Sequence, residues 1–354
     1  MSIVRKRRNN KRGAIELQFN WIFVLVAGFI IFTFIISIIL SQKKSADAAL
    51  GVDITNQITA ELQGKRAPNT FYEVTIPEST FTFRCTKDDG YFDMKISEST
   101  PLPTDIIFTD KTLQTKKLYL WTREFRLPYT ITTVTYLTQP STAFILYNAT
   151  GNTAYTVNEL RYLDEIYADL SSTNITLLVA NGNDIASKAG QFKRSHIICF
   201  DGNCPKTIAN TNVYDITPNQ TLNSLDAYGT IKINGGDETA YITKTTLYGA
   251  IFSENKNYYE CQLNRLMGQF EIKRELMQTR IALLDEGYKK INNDCRFRLT
   301  GPEQSIIDMN ISTSSSWYNN DTITNSNMKR AYDNTLQVNN GNEDLKIHSC
   351  TLLY

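Results

Sequence analysis

Histidine is nearly missing from this chain: there are two in 354 residues. That leaves little room for a multi-histidine metal centre or a set of histidine bases. Net charge is nearly missing too, with 37 basic against 36 acidic residues and a total of +1. Without a whole-chain basic field, nucleic acid is not an implied partner. Gly-rich phosphate loops, GxSxG, HExxH, EF-hand loops and CxxC are all absent from the text. Neither His196 nor His348 sits in a nucleophile or metal-ligand pattern. Both read as structural or surface groups. Asp88-Asp89-Gly90 and Gly236-Asp237-Glu238 read as turns before they read as carboxylate sites. No catalytic, cofactor or metal residue is therefore assigned, and an enzyme is the less favoured class. Composition marks neither collagen, wholesale disorder nor a miniature disulfide scaffold. The length suits one large or two ordinary domains.

Only one long apolar run exists, and it dominates what is present. Trp21 to Leu40 carries no charge and is interrupted only by Gly28, Thr33 and Ser37. As a helix it spans roughly 30 Å, the thickness of a bilayer's hydrocarbon. Core helices usually show a polar stripe, and this run has none. Arg5, Lys6, Arg7, Arg8, Lys11 and Arg12 precede it, with Glu16 the only acid there, and Lys43 and Lys44 follow it. That asymmetry predicts the N-terminus inside and the rest outside, with the basic arm on lipid headgroups. The run exceeds the 7–15 apolar residues of a cleavable signal, which favours an uncleaved anchor over cleavage near Ala46-Asp47-Ala48. A pilin-like leader is the other alternative. Here Glu16 is the third residue after Gly13, where a pilin leader places its Glu fifth.

Residues 1–44 hold eight basic residues and one acid, leaving 29 basic and 35 acidic beyond them. The near-neutral total is thus a cationic arm on an acidic ectodomain. All six cysteines lie in that outer part: Cys85, Cys199, Cys204, Cys261, Cys295 and Cys350. An even number outside a membrane fits three disulfides. Cys199 and Cys204 flank Phe-Asp-Gly-Asn, a turn that favours their pairing. The other pairings stay open. A straight helix through Cys261 and Cys295 would hold them roughly 51 Å apart, too far to bridge. Zinc is disfavoured because no second close Cys or His pair accompanies Cys199 and Cys204. N-x-S/T sequons fall at Asn148, Asn174, Asn219, Asn310 and Asn320. Asn, Ser and Thr are common enough for chance to supply them, so only the outside location makes them glycosylation candidates.

The fold class reads as α+β: an N-terminal transmembrane helix, a mixed or antiparallel β-rich ectodomain, and a C-terminal helical hairpin or small bundle. Five segments follow: a cytoplasmic basic arm (1–16), a transmembrane signal anchor (17–42), a helical stalk (43–68), the β-rich ectodomain (69–253) and the helical region (254–354). Leu50, Ile54, Ile58 and Leu62 give the stalk one apolar face. From 70 to 150, stretches such as FYEVTI, KLYLWTRE and AFILYN alternate with turn clusters. Trp121 falls in one of them and reads as core, whereas Trp317 lies in a polar loop and is a candidate contact. Thr156 with Glu159 opens a helix whose stripe is Leu160, Leu163, Tyr167 and Leu170. NITLLVAN reads as a buried strand, and HIICF, GTIKING and ETAYITKT as further strands, the last two joined at Gly235-Gly236. Asn257 with Glu260 opens a long helix with a heptad-like seam at Leu263, Phe270, Met277, Leu284 and Ile291, supported by Met267, Ile281 and Tyr288. A coiled-coil dimer and packing within the chain both fit that seam, and the chain that follows favours the second. Gly287 caps or bends this helix. Met328, Tyr332 and Leu336 make a last short helix before a break at Asn339-Asn340-Gly341.

Several stretches together resemble a known group. They are Arg12-Gly13-Ala14-Ile15-Glu16-Leu17-Gln18-Phe19-Asn20-Trp21-Ile22-Phe23, Asp105-Ile106-Ile107-Phe108, Leu118-Tyr119-Leu120-Trp121-Thr122, Gly249-Ala250-Ile251-Phe252-Ser253, Tyr259-Glu260-Cys261 and Ser349-Cys350-Thr351-Leu352-Leu353-Tyr354. The chain resembles the single-pass envelope proteins of DPANN-type, small-genome archaea. Thr351 stands where that resemblance calls for Pro. It implies one membrane pass, an archaeal surface location and bridged cysteines near the C-terminal helices, and it carries no activity or site residue. The expected partners are the lipid bilayer and other envelope or surface proteins, copies of this chain included.

Overall fold

The computed structural model describes residues 12–64, 67–85, 92–95, 99–101, 106–147, 157–205, 208–219, 221–222, 224–291, 294–309 and 324–354. The chain divides into two compact units, one ending at Asn56 and one running Gln57–Tyr354.

The first unit is helical throughout its described residues. Helix α1 (Arg12–Gly64) runs 53 residues, so the expected anchor and stalk belong to one continuous helix. Within it Trp21–Lys43 has a mean hydropathy of 3.0 and none of it is buried. This is one helix long and apolar enough to cross a membrane. Thr33, a polar group inside the span, donates its hydroxyl to the carbonyls of Phe29 and Ile30 at 2.9 Å, which satisfies it within the helix. Ile54 and Ile58 are buried, as the stalk stripe expects. The side chains of Leu50 and Leu62 lie outside the described residues.

The second unit is α+β, with two mixed six-stranded sheets. The first contains β1 (Phe71–Cys85), β2 (Phe92–Lys95), β3 (Ser99–Pro101), β4 (Ile106–Thr109), β5 (Thr112–Arg126) and β6 (Thr130–Thr138), in the order β3-β2-β1-β5-β6-β4. All its pairs are antiparallel except β4 with β6. The second contains β7 (Thr142–Tyr147), β8 (Thr176–Ala180), β9 (Arg194–Phe200), β10 (Thr211–Pro218), β11 (Tyr228–Ile233) and β12 (Glu238–Ile242), in the order β12-β11-β10-β9-β7-β8. Strands β8, β7, β9 and β10 run parallel, while β11 and β12 add an antiparallel hairpin. Parallel neighbours need crossovers. Helix α2 (Val157–Ser171) links β7 to β8, and α3 (Ile185–Ala189) links β8 to β9. Phe144 and Leu146 of β7 share a core with Leu163, Ile166 and Leu170 of α2. Ala143 and Ile145 face the opposite way and pack with Ile185 and Ala189 of α3. All six residues of β7 are buried, as expected of a strand covered on both faces.

Helix α4 (Thr243–Phe252) touches strands of both sheets, and nine of its ten residues are buried. Trp121 lies 5.0 Å from both Tyr136 and Tyr248, and Phe252 lies 4.6 Å from Phe144. These ring contacts tie β5, β6 and β7 to α4. Gly249 makes the close approach possible, because a Cβ there would stand 2.8 Å from the Phe108 ring. The chain ends in α5 (Lys256–Lys290), α6 (Cys295–Asp308) and α7 (Asn325–Ile347), with α6 packed on both α5 and α7.

Several local expectations change. The ETAYITKT strand stops at Ile242 and its remainder opens α4. Nine of the ten α4 residues are buried, threonines included, so the helix shows no polar stripe. The NITLLVAN strand is an edge, with Val179 about half exposed. Helix α2 buries Tyr162, Leu163, Ile166 and Leu170, leaving Leu160 and Tyr167 outside. Thr156 lies outside the described residues. The N-cap of α5 is Asn255, whose side chain accepts from the Tyr258 amide, rather than Asn257. Gly287 lies inside α5, which continues to Lys290. Gly341 does not break α7. It gives room to the Pro302 ring of α6, which a Cβ would overlap. The heptad seam faces inward: Leu263, Met267, Phe270 and Ile281 are buried, and Met277, Leu284 and Tyr288 pack against the core. Ile291 is exposed. Trp121 is buried as expected, whereas Trp317 lies outside the described residues. Asn234 and Gly235 take positive φ at the β11–β12 turn, as hairpin turns demand.

Candidate functional site

Three elements converge on one buried charge cluster. Asp110 follows β4, Arg194 and His196 open β9, and Glu254 follows α4. Asp110 and His196 are 2% and 1% exposed. Arg194 Nη1 lies 3.1 Å from Asp110 Oδ1 and 3.0 Å from Glu254 Oε2. The Lys111 amide also donates to Glu254, at 3.0 Å. His196 Nδ1 lies 2.6 Å from the Ile251 carbonyl. That oxygen only accepts, so Nδ1 carries the hydrogen. Nε2 then faces Asp110 Oδ1 at 3.1 Å. The approach has ion-pair distance without hydrogen-bond alignment. Tyr214 on β10 donates its hydroxyl to the Ser253 carbonyl at 2.8 Å and stacks on the His196 ring at 5.3 Å between centroids. Burial alone raises the Asp110 carboxyl. The electrostatic pull of His196, and then of Arg194, outweighs it and holds the carboxyl below its ordinary value.

Above this cluster opens a cleft of about 490 Å³. It lies at the amino ends of β9 and β10, bounded by β1 and β5 of the other sheet. Every side chain lining it is polar, including Lys193, Arg194, Glu254, Gln114, Asn210 and Asn212. Lys193 Nζ donates to Gln114 Oε1 at 2.9 Å. Paired amides offer both donors and acceptors, so the cleft suits a hydrated, hydroxyl-rich group. His196 lies beneath it and does not line it. The one carboxylate in the lining, Glu254, is already engaged by Arg194 and the Lys111 amide. Among the described residues the lining offers polar groups and no poised nucleophile–base pair.

A second ionic knot joins α2, α4 and β5. Asp169 accepts from Arg123 at 2.9 Å and from the Tyr248 hydroxyl at 2.7 Å, with Lys244 at 3.5 Å. Arg123 also sits 5.2 Å over the rings of Trp121 and Tyr248. Burial raises the Asp169 carboxyl, but the Tyr248 and Arg123 hydrogen bonds win and lower it. This knot reads as structural, because each charge is spent on a neighbour.

The residues singled out from sequence fall as follows. Cys199 and Cys204 are joined, with Cα atoms 5.3 Å apart. Asp215 lies near both sulfurs, but bonded sulfurs are not thiolate ligands. Cys85 of β1 is joined to Cys261 of α5, and Cys295 of α6 to Cys350. His348 is exposed, its Nδ1 against the Asp344 carbonyl. Asn174 is exposed in the turn before β8. Asn219 spends its amide nitrogen on the Tyr228 hydroxyl at 2.8 Å, and its oxygen accepts from the amides of Thr221 and Leu222. Asn148, Asn310 and Asn320 lie outside the described residues, as do Asp88, Asp89 and Gly90. Asp110, Arg194, Glu254 and Tyr214 carry no sequence signal, since each is an ordinary residue at an element end or within a strand.

Comparison with protein-family models, with curated proteins and with solved structures finds no match.

Proposed function

We propose that this is a single-pass, membrane-anchored protein of the cell envelope, N-terminus inside and bulk outside, that works through contacts rather than catalysis. The observation that carries the reading is Trp21–Lys43, an apolar span with none of its surface covered. Exposed apolar area of that extent is at home in lipid rather than water. Three disulfides support an oxidising, extracytoplasmic setting for the rest. The basic residues before the span support the orientation. The resemblance to archaeal envelope proteins supports the surface location.

Alkaline carbonate washing followed by protease treatment of intact cells tests the anchor and its direction. The chain is expected in the membrane pellet, with an N-terminal tag protected and the outer part digested. A chain released by carbonate overturns the anchor, and a digested tag overturns the orientation. Sequencing the mature N-terminus separates the filament-subunit alternative, which requires a start at Ala14.

The polar cleft favours a second reading, an anchored carbohydrate-binding ectodomain. A glycan array probed with the detergent-solubilised full chain tests it. Binding that Asn212→Ala weakens supports it, and an array without signal removes it.

A further inference from the structure

Helix α5 carries two seams, and among the described residues only one of them is covered. Arg274 and Ile281 are buried, and Tyr288, seven further on, packs against the core. On the opposite face Ile272, Leu276 and Leu283 are 65%, 64% and 65% exposed, with exposed Thr279 between them. The spacing 272, 276, 279, 283 alternates four and three, the repeat of a coiled-coil seam. A shallow apolar groove of about 430 Å³ lies along it. Its lining includes Leu276, Thr279, Arg280 and Leu283, the i, i+3, i+4, i+7 set that receives one knob from a facing helix.

We propose that this face pairs in parallel with the same face of a second copy. Charge selects the occupant and the direction. Glu275 precedes the Leu276 position, and Arg280 follows the Thr279 position. In a parallel pair these are the flanking positions that meet across the seam, so Glu275 of each copy meets Arg280 of the other. In an antiparallel pair centred on Thr279, Arg280 would meet Arg280. Arg280 also donates to the Leu352 carbonyl at 3.0 Å, which steadies it near the seam. Four layers bury much less than the roughly 800 Å² per partner of a standard soluble interface. The contact therefore depends on confinement of both copies to one bilayer, which raises their effective concentration. In that respect the proposal rests on the anchored reading.

The described cysteines are all bonded, so an added one reports alone. Full-length Leu283→Cys chain in phosphatidylcholine–phosphatidylglycerol vesicles, treated with a short bis-maleimide, is expected to give mostly covalent dimer. Exposed Lys329→Cys on α7 is expected to give at least fivefold less. Adding Glu275→Arg to Leu283→Cys is expected to cut the dimer at least threefold, and adding Arg280→Glu as well to restore it, with melting temperature unchanged. Leu276→Lys gives an independent break of the seam. The proposal is overturned if Leu283→Cys links no better than Lys329→Cys, if neither Glu275→Arg nor Leu276→Lys lowers the yield, or if Leu276→Cys links to Leu283→Cys better than like to like. Flotation of the same samples separates the two readings. Chain that floats but does not link overturns the pairing alone. Chain that stays with the soluble fraction overturns the anchor, and with it the confinement on which the pairing rests.

Discussion

Asp110 is the residue on which the centre of the second unit turns. It is buried beside His196 and Arg194, and removing its charge would leave His196 without its carboxylate and Arg194 with Glu254 alone. Asp110→Asn is expected to cost about 3–5 kcal/mol, read as a lower urea midpoint. The pH dependence follows from the sign of its shift. The folded carboxyl lies below its ordinary value of 3.8. Its contribution is complete above that value and is lost as pH falls through the lower folded one. Acid titration of the melting temperature should show this loss, and Asp110→Asn should reduce its slope. Asp169 shifts the same way, so some acid sensitivity is expected to remain in the variant. Neither carboxylate was legible in the sequence. Asp110 sits in an unremarkable Thr-Asp-Lys, and its partner Arg194 is 84 residues away. Only the pairing of sheets brings them together.

At the scale of elements, helix α4 separates what pattern can tell from what it cannot. The strands around it were readable because half-covered strands alternate or run apolar between turn residues. Helix α4 follows a strand directly and has no polar face, so periodicity could not mark it. Its packing gives a sharp expectation. Gly249→Ala would press a methyl against the Phe108 ring and should lower stability by about 1–3 kcal/mol, with an unchanged denaturant slope. Wild-type stability for that variant would contradict the sandwiched placement. The seam of α5 shows the converse case. The heptad residues named from sequence were real apolar positions, but periodicity does not say which neighbour covers them. The fold turned Leu263, Phe270 and Ile281 inward and left Ile272, Leu276 and Leu283 outside.

For the whole molecule, the disulfides set how far local loosening spreads. Cys85–Cys261 closes a separation of 176 residues and ties β1 to α5, whereas Cys199–Cys204 closes only 5. Chain entropy in the unfolded state makes the long closure the larger contributor. Replacing Cys85 and Cys261 together with Ala should cost about 2–5 kcal/mol, and more than the same change at Cys199 and Cys204. Melting the two variants in non-reducing detergent checks the order, and the reverse order would contradict it. The sequence by itself determined the apolar span, its basic flank, the acidic balance of the residues beyond it and the local turn at Cys199 and Cys204. Each of these is a matter of composition or of contacts within a few residues. The remaining cysteine pairs, the α4 sandwich, the Asp110 cluster and the choice of seam on α5 were decided by tertiary structure. They join positions far apart in the chain, and such contacts depend on which faces the packed sheets and helices turn toward one another.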